Sequence, residues 1–172
     1  MPQDPKNTQY PTGGVSSLKS MEEARRDVLL SQRKHLEKIW DEAVNKEGGN
    51  AYKIYFIGNP AQKLLDEIET VLGRPVNAKK QLIQLGYIRH INSRHGIGGV
   101  AVDGQVPITR ETFALIPDVL KSFDSVEKGH DTRGGDGILI RKRYSDGTAV
   151  LVNVVPINGN LEIRSFRVDK NK

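Results

Sequence analysis

The side chains best suited to chemistry gather in one short stretch, Arg89-His90-Ile91-Asn92-Ser93-Arg94-His95-Gly96. On a helix, His90 and Arg94 are four residues apart and share a face. His95 is five from His90, so a straight helix points it elsewhere, although the last residue before Gly96 is free to swing round. Histidine titrates near neutrality unaided, and two neighbouring imidazoles therefore suit proton transfer. Arg89 and Arg94 suit a phosphate, which a guanidinium grips through two N–H groups. A histidine ahead of a glycine also serves simply to complement the negative end of a helix, and the residues alone leave both readings open. A second cluster is Arg141-Lys142-Arg143 on a strand, where alternation sends Lys142 to one face and Arg141 and Arg143 to the other. It reads either as an anion site or as a charged edge that deters strand-to-strand aggregation. The third is Ser165-Phe166-Arg167 on the last strand. Gly96, Gly98 and Gly99 make no dinucleotide loop, because no strand-turn-helix of suitable length surrounds them.

The elements that must hold these groups are legible to different degrees. Ser20 and Glu23 form a capping box that opens a helix carrying Val28, Leu29, Leu36, Ile39, Trp40 and Val44 at helical spacing, and Gly48-Gly49 ends it. This long helix needs a partner surface. Tyr52–Ile57 reads as a short strand. Asn59-Pro60 restarts a helix whose stripe is Leu64, Leu65, Ile68, Val71 and Leu72, stopped by Gly73. Gln81–His95 is expected to be helical throughout. Thr109 caps a further helix that Pro117 kinks or divides, and residues 130–137 form a loop. Ile138–Tyr144, Thr148–Val155 and Leu161–Val168 read as three antiparallel strands punctuated by Asp146-Gly147 and Asn158-Gly159, both favoured hairpin dipeptides. On the last strand, strict alternation groups Leu161, Ile163, Ser165 and Arg167 on one face and Arg164, Phe166 and Val168 on the other. The fold class is α+β: helices on a short antiparallel sheet ending in a three-stranded meander, with a helical N-terminal extension. The expected division is a disordered tail over 1–19, rich in Pro, Gly, Ser and Thr, an extension over 20–72, and a compact domain over 73–172.

Composition narrows the possible chemistry. The chain has 172 residues, 37% of them hydrophobic, and a net charge of +5. Residues 70–102 carry Arg74, Lys79, Lys80, Arg89 and Arg94 without a single acid, and the C-terminal strands are basic again. Two basic segments flanking an acidic one suit phosphate binding. With no cysteine, disulfides and thiolate metal sites are impossible. The four histidines show no metal-ligand spacing, so no metal or cofactor is expected. No apolar run is long enough for a membrane span and no signal peptide stands out, so the expected setting is the cytoplasm, away from membranes. Delivery into a target cell or packaging in a virion would leave no mark in such a sequence.

Taken together, "HINSRHG", "PITRETFALIPDVL", "ILIRKRYSDGTAVLV" and "LEIRSFRV" resemble the barnase–EndoU–colicin–RelE-like ribonuclease superfamily of phage and toxin contexts, over about residues 76–168. The resemblance implies metal-independent RNA cleavage by 2′-hydroxyl attack, giving a 2′,3′-cyclic phosphate. It places the two family histidines on His90 and His95, the basic strand residue on Lys142 and the hydroxyl residue of the last strand, often Thr, on Ser165. Arg89, Arg94, Arg141 and Arg167 would contact the substrate. Where relatives often carry Tyr after the hydroxyl residue, this chain has Phe166 and Arg167. The implied partners are RNA and a cognate immunity or antitoxin protein or a phage structural protein. The alternative is a member that binds RNA or protein without cutting.

Overall fold

The computed structural model describes residues 18–46, 48–99 and 103–171. Six helices and a seven-stranded sheet make up the described part. The chain enters through α1 (Met21–Asp27), opened by the expected capping box: the Glu23 N–H donates to the Ser20 hydroxyl and the Ser20 N–H donates to the Glu23 carboxylate. The single long helix is not found. The backbone goes extended at Val28 and Leu29, and a second helix, α2 (Leu30–Val44), follows. The break lets α1 turn across α5 and α6 while α2 packs on α4, which one straight rod cannot do. Of the expected disordered tail, residues 1–17 lie outside the described residues. Lys19 is held: its carbonyl accepts from the Ser145 N–H at 2.9 Å and its ammonium pairs with Asp27.

Next come β1 (Ile54–Gly58) and α3 (Gln62–Leu72). The latter begins after Ala61 with no side-chain cap, two residues beyond the start that Asn59 suggested, and ends as expected at Gly73, whose φ of 69° suits glycine. Gln81–Gln84 forms a strand, β2, and only Leu85–His95 is helical (α4). Gln-Leu-Ile-Gln fits either period, and pairing on both sides decides for the strand: β2 lies antiparallel to β1 and parallel to the last strand. That parallel pair makes the sheet mixed.

Two short strands complete the sheet, β3 (Gln105–Val106) and β4 (Ser125–Lys128). Between them Thr109 caps α5 (Arg110–Phe113), and Pro117 sits in the first turn of α6 (Ile116–Ser122), so proline divides the expected helix in two. The meander is β5 (Asp136–Tyr144), β6 (Gly147–Val155) and β7 (Leu161–Asp169), antiparallel throughout as its residues foretold. The first turn is Ser145-Asp146, not Asp146-Gly147. Gly147 is already paired with Tyr144, and a Cβ there would come within 2.6 Å of Val168. The spatial order is β1-β2-β7-β6-β5-β4, with β3 also on β7.

One apolar cluster runs from Leu36, Ile39 and Trp40 of α2 through Ile88 and Ile91 of α4 to Ile140, Leu151 and Phe166 of the sheet. Residues 20–72 thus share the core and, through β1, the sheet with residues 73–172. Glu42 ties α2 to β1: hydrogen bonds from Lys53 first and Tyr55 second hold its pKa down to about 2, from an ordinary 4.5. A carboxyl lowered on folding stabilises fully above its unfolded value, and this contribution is lost as pH falls through the folded one. Between pH 4.5 and 2, the melting temperature of Glu42→Gln therefore falls less steeply than that of the wild type. Parallel slopes in a pH series of thermal melts would show that the bridge contributes nothing.

Candidate active site

The sheet has two unlike faces, and the register shows which residues share each. Ile138, Ile140, Lys142 and Tyr144 of β5 pair with Asn153, Leu151, Ala149 and Gly147 of β6, and Val168 and Phe166 of β7 continue the rows of Ala149 and Leu151. This is the core face, covered by helices. Arg141, Val150 and Arg167 form one row of the opposite, outer face; Leu139, Val152 and Ser165 form the next.

A β-bulge corrects the face assignment made from strict alternation. Val152 pairs with Ser165 but Asn153 pairs with Ile163, leaving Arg164 as an extra residue. The bulge shifts the period by one. Leu161 and Ile163 consequently join Phe166 and Val168 in the core, all fully buried, while Arg164 and Ser165 stand together on the outer face. Arg164 stacks over the Tyr87 ring of α4 at 4.9 Å and lies 3.8 Å from the Glu162 carboxylate. Its Nε is buried with no partner among the described residues. Nothing in the sequence marks this residue, because only pairing reveals a bulge.

The outer-face arginines are oriented by carboxylates. Arg141 donates from Nε to Glu127 at 3.3 Å and approaches it through Nη2 at 3.2 Å; Arg167 donates from Nε to Asp169 at 3.0 Å. Both are about one-third exposed on their side chains (32% and 31%), so each offers further N–H groups to a ligand. Val150 between them is fully buried, as expected where arginine stems cover apolar surface.

Helix α4 runs beside β7, between β2 and β3. Three and seven residues after Tyr87, His90 and Arg94 continue the side of the helix that meets Arg164. His90 is exposed. Desolvation of its ring, then the charges of Arg94 and His95, hold its pKa below the ordinary 6.5. His95 ends the helix and is buried, only 8% exposed. It bonds through Nδ1 to Gln105 Oε1 at 2.9 Å. Gln105 is paired with Asp169 on β7, one outer-face position beyond Arg167.

Two expected members stand elsewhere. Lys142 lies on the core face, opposite Ser165 and Arg167, 3.7 Å from Asp124 and over the Tyr144 ring. Alternation with Ile138, Ile140 and Tyr144, all apolar, was the available signal. Arg89 is turned away from the sheet, donating to the carbonyls of Ala43 (2.7 Å), Lys46 (3.2 Å) and Gly48 just beyond α2. There it satisfies helix-end acceptors and leaves no fork for a substrate. The register thus sets Arg141, Ser165 and Arg167 on the outer face, with Arg164 against Tyr87 of α4 and Gln105 against His95.

The outer face offers a hydroxyl and cations for an anionic substrate, and α4 beside it carries two imidazoles suited to proton transfer. Among the described residues no three His, Asp or Glu side chains gather as a metal site, and no helix is long and apolar enough to cross a membrane. The fold is α+β, with helices on a mixed sheet that ends in a meander whose outer face carries arginines. Residues 59–172, more than half of the chain, match the model of the phage-Barnase-EndoU-ColicinE5/D-RelE like nuclease3 family, and the chain belongs to that family. No curated protein and no solved structure matches it.

Proposed function

We propose that the protein is an endoribonuclease that cleaves RNA without a metal ion, through the outer face of its sheet. The observation that supports this reading is the outer face bearing Arg141, Ser165 and Arg167 next to α4, the helix that carries His90 and His95 and meets β7 through Tyr87 and Arg164. A base removes the proton of an RNA 2′-hydroxyl, whose oxygen attacks the adjoining phosphorus. The bond from phosphorus to the 5′-oxygen breaks, an acid protonates that oxygen, and the products are a 2′,3′-cyclic phosphate and a 5′-hydroxyl. His90 and His95 share the proton transfers. Arg167, Arg141 and Arg94 stabilise the charge that develops on the phosphorane, and Ser165 orients the phosphate. Tyr87 and Arg164 border the same face.

The family name, with its words phage, colicin and RelE, supports a role in phage or toxin systems. The reading extends to an effector acting on cytoplasmic RNA and restrained by an immunity or antitoxin protein. The decisive experiment incubates the full chain with labelled tRNA and mRNA in EDTA. We expect fragments ending in 2′,3′-cyclic phosphate. RNA left intact but bound in a salt-dependent way would instead favour a binding module that does not cut.

A further inference from the structure

The two histidines are not equivalent, and the difference lies in Gln105. His90 is exposed, whereas His95 is nearly buried with one ring nitrogen engaged. The partner atom at 2.9 Å is the amide oxygen of Gln105, which only accepts. With Oε1 facing the ring, Nδ1 is the donor and carries the proton. In the neutral ring that leaves Nε2 as a bare acceptor. Nε2 has no hydrogen-bond partner among the described residues.

Gln105 is itself held in place. β3 is only two residues long, yet both are paired, Gln105 with Asp169 and Val106 with Val168. The Lys170 N–H donates to Gly104 O at 3.0 Å, and the Ile108 N–H donates to the His95 carbonyl at 2.7 Å. These bonds bracket Gln105 on both sides and tie the strand to the end of α4. A two-residue strand contributes little to the sheet, but it fixes the amide against the imidazole.

We infer that Gln105 is a positioning residue that locks His95 in the Nδ1–H tautomer and so makes His95, through Nε2, the general base, leaving His90 as the acid. The assignment of base and acid rests on the proposed ribonuclease activity; the tautomer does not. The charged or titratable groups on the elements around His95 are Arg89, His90 and Arg94 on its own helix, Asp103 before β3, Glu162, Arg164, Arg167 and Asp169 on β7, and Lys170 after it. Glu37 and Asp41 of α2, the helix packed on α4, are engaged with Arg110.

The test combines nitrogen NMR of the histidines with kinetics on the full chain. In the wild type the ¹⁵N shifts of neutral His95 should show Nδ1 protonated and Nε2 bare. Gln105→Met keeps the volume but removes the acceptor; the tautomers should then mix, and kcat should fall roughly 10- to 100-fold, the scale on which an imidazole's orienting partner matters. Gln105→Glu keeps an acceptor and adds a charge that favours the imidazolium. It should retain the tautomer and move the His95 titration up by roughly 1 to 3 pH units, with the acid limb of kcat/KM following it. The limbs of a pH profile belong to the coupled pair, so His95 must be followed by its own resonance. A purely structural role would leave that titration unmoved. A wild-type ring protonated on Nε2, or a Gln105→Glu titration unchanged, would overturn the inference whatever the activity. A locked tautomer in a protein that cuts no RNA would overturn the ribonuclease reading and the base assignment, while the lock itself would stand.

Discussion

Under the proposed ribonuclease activity, replacing His90 with Ala, or His95 with Asn, is expected to lower the rate of RNA cleavage roughly 10²–10⁴-fold, the usual contribution of a positioned acid or base. The two substitutions differ because their environments do. His90 is exposed, so truncation leaves no cavity. His95 is 8% exposed and bonded to Gln105; asparagine keeps a polar side chain there, whereas alanine would also open a gap and leave the amide unpaired. Circular dichroism and thermal melts separate loss of chemistry from loss of fold. The pH profile carries a further sign. Although the residue is exposed overall, partial desolvation of its ring, then the charges of Arg94 and His95, hold the His90 pKa below 6.5. An acid acts in its protonated form, and that form disappears as pH rises through the depressed value. The alkaline limb of kcat/KM for the free enzyme is therefore expected below pH 6.5, and Arg94→Ala should move it upward. Because two transfers act in one turnover, the double histidine variant should lose less than the product of the single losses. Full activity in either single variant would remove that histidine from the site.

What the sequence disclosed and what it hid follow from the range of the interactions involved. The meander, the Ser20–Glu23 capping box, the Thr109 cap and the division at Pro117 are local, and each was legible. The break at Val28–Leu29 and the strand Gln81–Gln84 were not, because packing partners distant in sequence decide both. The same holds for the site. His90, Arg94 and His95 stand out by type and spacing. Arg89 looks like their companion in one dimension, yet three carbonyls in and just beyond the last turn of α2 claim it. Gln105 carries no chemical signal; only its register opposite Asp169 and its bond to His95 give it meaning. Arg164 reaches the outer face through a bulge that strict alternation cannot anticipate.

Lys142 and Arg167 form the sharpest contrast. Both are basic strand residues one sheet neighbour removed from the middle strand of the meander, but the register sends them to opposite faces. Lys142 shares a row with Ala149 and Val168, whereas Arg167 shares one with Val150 and Arg141. Successive side chains of a strand leave opposite sides of the sheet, so one phosphate cannot meet both. Arg167→Ala is therefore expected to lower kcat roughly 10²–10³-fold, the cost of deleting one preorganised stabiliser of transition-state charge. Arg167→Lys should restore part of it, since lysine supplies charge without the bidentate fork. Arg141→Ala should act in the same direction, and combining it with Arg167→Ala should reveal coupling, because both flank Val150. Lys142→Ala should leave kcat and KM unchanged and remove only its contacts with Asp124 and Tyr144. Steady-state cleavage of one labelled RNA measures kcat and KM of all five variants under the same conditions. Were Lys142→Ala to match Arg167→Ala in lost rate while melting like the wild type, the phosphate would have to bind among α6, Lys19 and Lys142 on the helical side, and the outer face would not be the active one.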